Sequence, residues 1–162
     1  MRDYQKYATV LAVFATVLFA ALLVAAFGMI SLATNQDVIA DRSAGPLVGP
    51  TMAAVVVVFV LVMLLALGVN TPPDQQRVAV GFSLAAGAGA FVLFLLTGAA
   101  LVAFGSGDLV AGLVFAGAMI ASPFAIAVGV LAFVVTLTYS VLLASHYGEH
   151  GRPLWPWERR GE

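Results

Sequence analysis

The sequence predicts an all-α integral membrane protein, a four-helix bundle with both termini on the cytoplasmic side. Three observations predict it. Four apolar segments, Ala8–Ala33, Thr51–Val69, Val78–Phe104 and Leu109–Ser145, carry almost no charge. About 20 apolar residues, rising 1.5 Å each, cross a hydrocarbon core of about 30 Å. The composition is 62% hydrophobic and 9% charged, where soluble domains hold about 25% charged residues. The third observation is the division of loop cations. With the N-terminus inside, the inner side holds Arg2, Lys6, Arg77, Arg152, Arg159 and Arg160, and the outer side holds Arg42 alone. That is a positive-inside bias over loops short enough to obey the rule.

Span one is expected over 8–33. Tyr4 and Tyr7 precede it and suit the membrane interface as amphipathic rings. Met1–Tyr7 is short and basic, like the start of a secretory signal. The apolar stretch behind it is about 25 residues, longer than the 7–15 of a cleavable core, so a retained span is expected.

The outer segment Asn35–Pro50 closes on two Gly-Pro pairs, which mark turns. Pro50 is expected to open the second helix, where its missing N–H matters least. Span two, 51–69, includes the valine run Val55–Val58. β-branched residues disfavour helix in water. In lipid the backbone must bond internally, and helix is expected all the same. Asn70-Thr71-Pro72-Pro73 breaks it, and Asp74 is an expected N-cap for span three, 78–104.

Gly105-Ser106-Gly107-Asp108 reads as an outer turn. The following 109–145 stretch would be about 55 Å long as one helix, more than one crossing needs. Ser122-Pro123 lies inside it, and Ser at N-cap with Pro at N1 starts helices. Two readings stay open. In one, a short outer interfacial helix over 109–121 precedes span four, 123–146. In the other, a single long helix kinks at Pro123. The tail 148–162 is too rich in Gly and Pro for a helix.

The expected domain organisation is thus a single transmembrane domain over 1–162, in the cell (cytoplasmic) membrane. Four spans leave no room for a soluble catalytic domain. The absence of cysteine excludes disulfides and thiolate metal sites. The net charge of −1 gives no basis for binding nucleic acid. Ala, Gly, Val and Arg usage suggests a GC-rich bacterial genome.

No ionisable side chain lies near the centre of any span, and such residues mark proton relays and ion paths. The chain resembles small four-span drug/proton antiporters in size and helix count. Their function depends on a membrane-embedded Glu in the first span, where this chain offers Thr9, Thr16 and Ser31. Ser106 and Ser122 are expected near the outer side and His146 and His150 at the inner end, so no nucleophile–base pair is expected among them. His146 and His150, and likewise Asp37 and Asp41, share i, i+4 spacing. They read as a helix end and a solvated loop rather than as metal sites. No catalytic residue, cofactor or metal is expected.

Three residue sets remain. Gly81, Ala85 and Gly89 form a small-xxx-small face on span three, flanked by Ser83 and Gly87. Such faces let helices approach closely in lipid, within one bundle or between chains. Thr16, Ser83, Thr136 and Ser140 fall in the inner half of three spans, as interhelical hydrogen bonders or as the lining of a small cavity for a neutral or lipid-like solute. Trp155, Trp157, Arg159 and Arg160 in the tail suit an anchor to anionic membrane lipid or a docking segment for a partner.

The outer segment DVIADRSAGPLVGP (37–50), the inner segment LWPWERR (154–160) and the general layout resemble the small four-span membrane proteins of unknown function common in high-GC Gram-positive bacteria. The resemblance implies no activity. The expected role is an accessory or scaffold subunit, or a homo-oligomer, acting through helix packing. The alternative is a transporter or channel for a neutral or lipid-like solute.

Overall fold

A computed structural model describes residues 2–35, 38, 47–70 and 78–147. Among these residues are five helices: α1 (Arg2–Thr34), α2 (Val48–Asn70), α3 (Val80–Ser106), α4 (Leu109–Ile120) and α5 (Pro123–Tyr147). Four of them, α1, α2, α3 and α5, are long and apolar enough to cross a membrane. The all-helical architecture expected from the sequence is therefore present, with a fifth, shorter apolar helix.

The helix ends follow from local chemistry. Thr51 N–H donates to Leu47 C=O at 3.0 Å, the first bond of α2. Pro50 therefore sits in the first turn, two positions later than expected, where helical N–H groups have no partner to lose. α3 continues through Gly105 and Ser106, so the turn after it is tighter than expected. It is closed by Gly107, whose φ of 70° is left-handed and favours glycine. Asp108 caps α4, its Oδ1 accepting from Val110 N–H at 2.9 Å. Ser122 Oγ accepts from Phe124 N–H at 3.3 Å and caps α5, with Pro123 as the first helical residue. Asp74 and Arg77 lie outside the described residues.

Each long helix buries one stripe. On α1 it is Ala8, Ala12, Thr16, Phe19 and Leu23; on α2, Met52, Val56, Val60 and Leu64. On α3 it runs through Ser83, Gly87, Ala90, Phe94 and Gly98, and on α5 through Ala125, Val128, Ala132, Thr136 and Tyr139. The three- and four-residue steps are the period of a helix face. The outward faces are as apolar as the buried ones: Phe14, Val24, Leu32 and Leu96 are all exposed. Water would oppose that surface, whereas hydrocarbon does not.

Pair contacts set the heights. The Phe27 ring meets Phe94 at 6.0 Å and Phe124 at 5.5 Å between centroids, so α1, α3 and α5 share a level there. Gly87 lies against Gly129 and Phe133, and Ala79 bonds Ser140, so α3 and α5 are antiparallel. Gly98 meets Phe115, and Gly112 meets Ala99 and Ala103, so α4 doubles back along α3. It rests on α3 and barely touches α5. The chain thus descends beside α3 in two pieces, α4 above the Phe27 level and α5 below it. The stretch is therefore two helices, a short one and then a span from Pro123, rather than one long helix kinked at Pro123.

Candidate functional site

The inner hydroxyls expected from the sequence are all buried: Thr16 is 7% exposed, Ser83 and Thr136 0%, and Ser140 1%. Three of them bond to carbonyls of their own helices. Thr16 Oγ1 donates to Ala12 at 2.8 Å, Ser83 Oγ to Ala79 at 2.9 Å and Ser140 Oγ to Leu137 at 2.8 Å. Ala79 N–H then donates across to Ser140 Oγ at 3.4 Å. Ser83 and Ser140 are thereby brought together at Ala79, the residue that precedes the first turn of α3. No side chain of Ala79 caps that turn, so Ser140 takes up an N–H that the helix start cannot use.

The same antiparallel register puts Thr136 level with Ser83. Thr136 Oγ1 has no hydrogen-bond partner. A helical threonine ordinarily donates to the carbonyl four residues back, as Thr97 and Thr138 do here. Thr136 forgoes that bond at full burial, which costs about 1–3 kcal/mol for an unsatisfied hydroxyl.

A second polar tie joins three helices. Tyr139 Oη donates to Ala8 C=O on α1 at 3.0 Å, with the ring 1% exposed. Gly68 of α2 closes the same spot: a Cβ there would overlap the Tyr139 hydroxyl and lie 3.1 Å from Ala8 Cβ. Only a residue without a side chain leaves room for the phenol. Nothing along the chain singles out Gly68 and Tyr139 for this role. The pair is 71 residues apart, and no local pattern links them.

The small-residue face of α3 divides. Gly81 and Ala85 are exposed, with open space where a Gly81 side chain would be. Gly89 is half-buried, and a Cβ there would stand 2.8 Å from Phe59 Cζ of α2. The closest approach to α5 is made by the flanking Gly87, where a Cβ would stand 2.8 Å from the Gly129 carbonyl oxygen. Gly87, Phe91, Gly129 and Phe133 line an outward groove of about 460 Å³. A second groove of about 320 Å³ lies between α1 and α5, with Leu18, Thr138 and Tyr139 in its wall. Both walls are almost wholly apolar.

Trp155, Trp157, Arg159 and Arg160 lie outside the described residues, as do His150, Asp37, Asp41 and the side chain of His146. Among the described residues no group of three His, Cys, Asp or Glu comes together.

Comparison with known families matches residues 1–162 to a family of unknown function, DUF6121. The chain belongs to that family. No curated protein and no solved structure matches it.

Proposed function

We propose that this DUF6121 chain is a multi-pass protein of a bacterial cytoplasmic membrane, with both termini inside. In this reading it acts through helix packing rather than catalysis, as an accessory or scaffold subunit or as a homo-oligomer. One observation carries the reading: the Gly81–Ala85 strip of α3 is small and exposed. The same helix uses small residues for close approach where a neighbour is present, at Gly87 and Gly98. The tail residues Trp155, Trp157, Arg159 and Arg160 would hold the inner end to anionic lipid or to the partner. Orientation rests on the loop cations; a reporter fused at Gly161 that reads as external would overturn it.

The test is a tagged pull-down from native membranes in mild detergent, with the mass of the intact complex measured. A stoichiometric second protein or a homo-oligomer is expected. Gly81→Leu with Ala85→Leu should release it without unfolding the bundle. Gly89 is left intact, because a side chain there would strike Phe59 within the same chain. A bare monomer, or a complex indifferent to both leucines, would overturn the reading.

A second reading has its own observation, the unpartnered hydroxyl of Thr136. With Thr16, Ser83 and Ser140 it would form the polar part of a path for a neutral or lipid-like solute. Valine at all four should then abolish flux in vesicles while leaving the bundle folded. Unchanged flux, or none in the parent protein across a panel of neutral solutes, would remove this alternative.

A further inference from the structure

The α4–α5 junction places non-helical backbone deep in the bundle, and its carbonyls lack their usual donors. The carbonyls of the last helical turn normally accept from the N–H four residues on. For Ala118 that donor is Ser122, whose N–H goes to Met119 C=O at 3.0 Å. For Met119 it is Pro123, which has no N–H. For Ile120 it is Phe124, whose N–H goes to Ser122 Oγ at 3.3 Å. Ala118 and Ile120 thus lose the ordinary partners of their carbonyls.

The junction is also on the outside of the molecule. Ile120 is 57% exposed, Ala121 and Pro123 are exposed and Ser122 is half-buried. α4 rests on α3, and α5 begins beneath it. Its depth follows from the Phe27–Phe124 contact. Above Phe27, α1 continues to Thr34, which at 1.5 Å per residue is about 10 Å. Above Phe94, at the same level, α3 continues to Ser106, about 18 Å. The gap therefore lies well below the ends of the neighbouring helices.

Backbone without partners is not stable against hydrocarbon, where each bare group costs several kcal/mol; at such depth it occurs where protein buries it or water reaches it. Here Ile120, Ala121 and Pro123 are exposed, so protein does not bury them. Resting on the membrane placement proposed above, we infer that the Ile120–Pro123 junction is the floor of a hydrated notch. The notch opens toward the α3–α4 turn and admits water and small polar solutes to the carbonyls at the end of α4. α4 is then a half-length helix whose end meets water, while its exposed Leu109, Val110, Leu113 and Val114 face lipid.

The absence of native cysteine makes the test direct. Single cysteines are placed at Ala121, at Gly105 beside the α3–α4 turn, and at Gly28, which is at the junction's level on α1. Gly105 and Gly28 both have open space for a side chain. Each protein, in sealed vesicles or cells, meets a membrane-impermeant maleimide on the side that labels Gly105→Cys. Ala121→Cys is expected to label within about tenfold of the Gly105→Cys rate, because water reaches both. Gly28→Cys should stay unlabelled until detergent is added. If Ala121→Cys is as silent as Gly28→Cys, the notch is overturned and the membrane placement stands. If Gly28→Cys labels as fast as Gly105→Cys, the membrane placement itself fails, and the notch with it. Ile120→Cys repeats the measurement one residue earlier, and gel filtration of each variant confirms that it is folded.

Discussion

The two ends of the bundle are held by different means. At the Tyr139 end, three helices meet at one point: the phenol of α5 donates to Ala8 of α1 in the space that Gly68 of α2 leaves free. Ser140 ties α5 to the start of α3 within the next turn. At the α4 end the helices are held by close approach. Gly112 lies on the Ala99 carbonyl, and Phe115 on Gly98. Directional bonds at one end fix the register of three helices at once. Close approach at the other fixes α4 mainly to α3, so α4 can be loosened with little disturbance of the rest.

The largest effect should come from forcing apart the helices that both ends depend on. Gly87→Leu drives a side chain into the Gly129 backbone and Phe133. Backbone cannot yield as a flexible side chain can, so a loss of about 3 kcal/mol or more is expected. An unfolding titration in mixed detergent measures it; an unchanged midpoint would mean that α3 and α5 are not packed as described.

Next comes the three-helix tie. Gly68→Ala should cost about 1–3 kcal/mol through overlap with Tyr139. Adding Tyr139→Phe, which removes the obstructing oxygen, should restore part of that loss. Tyr139→Phe alone should cost about 0.6 kcal/mol, the average for a hydrogen bond between membrane helices. Strictly additive losses in this double-mutant cycle would disconnect the two residues.

At the other end, Gly112→Ala meets the Ala99 carbonyl and Ala103. The expected outcome is local. Amide exchange should quicken across α4 and change little in α1, α2 and α5, because α4 leans mainly on α3. A global fall in stability would erase the distinction between the two ends.

The smallest effect is expected at Thr136. Thr136→Val removes an unpartnered buried hydroxyl and keeps the shape, so stability should hold or rise by up to about 1 kcal/mol. Ser140→Ala, which breaks the bond to Ala79, should lower it by about 0.6 kcal/mol. If Thr136→Val destabilises the bundle more than Ser140→Ala, the threonine has a partner that the described residues do not supply.

Much of the helical layout is legible along the chain, because span length and hydropathy are local properties. Ser122-Pro123 announces a helix start, and α5 begins there. Asp108 caps α4 for the same local reason. Ser83, Thr136 and Ser140 could be set near one level by counting along each helix, since the helical rise is constant. The small-residue face shows where this stops. Gly81, Ala85 and Gly89 share a stripe in sequence, yet two are exposed and one meets Phe59. Sixteen glycines in an Ala-, Val- and Leu-rich chain produce many such stripes.

The sequence by itself determined which segments are helical and which are long enough to cross a membrane. A lipid-facing surface and a protein core are equally apolar, so hydropathy cannot choose the buried face. That choice fell to shape: Gly68 admits Tyr139, Gly87 admits the backbone of α5, and Gly112 admits α4 against α3. Only the tertiary structure brought these pairs together, because each joins residues on different helices whose separation no periodicity records.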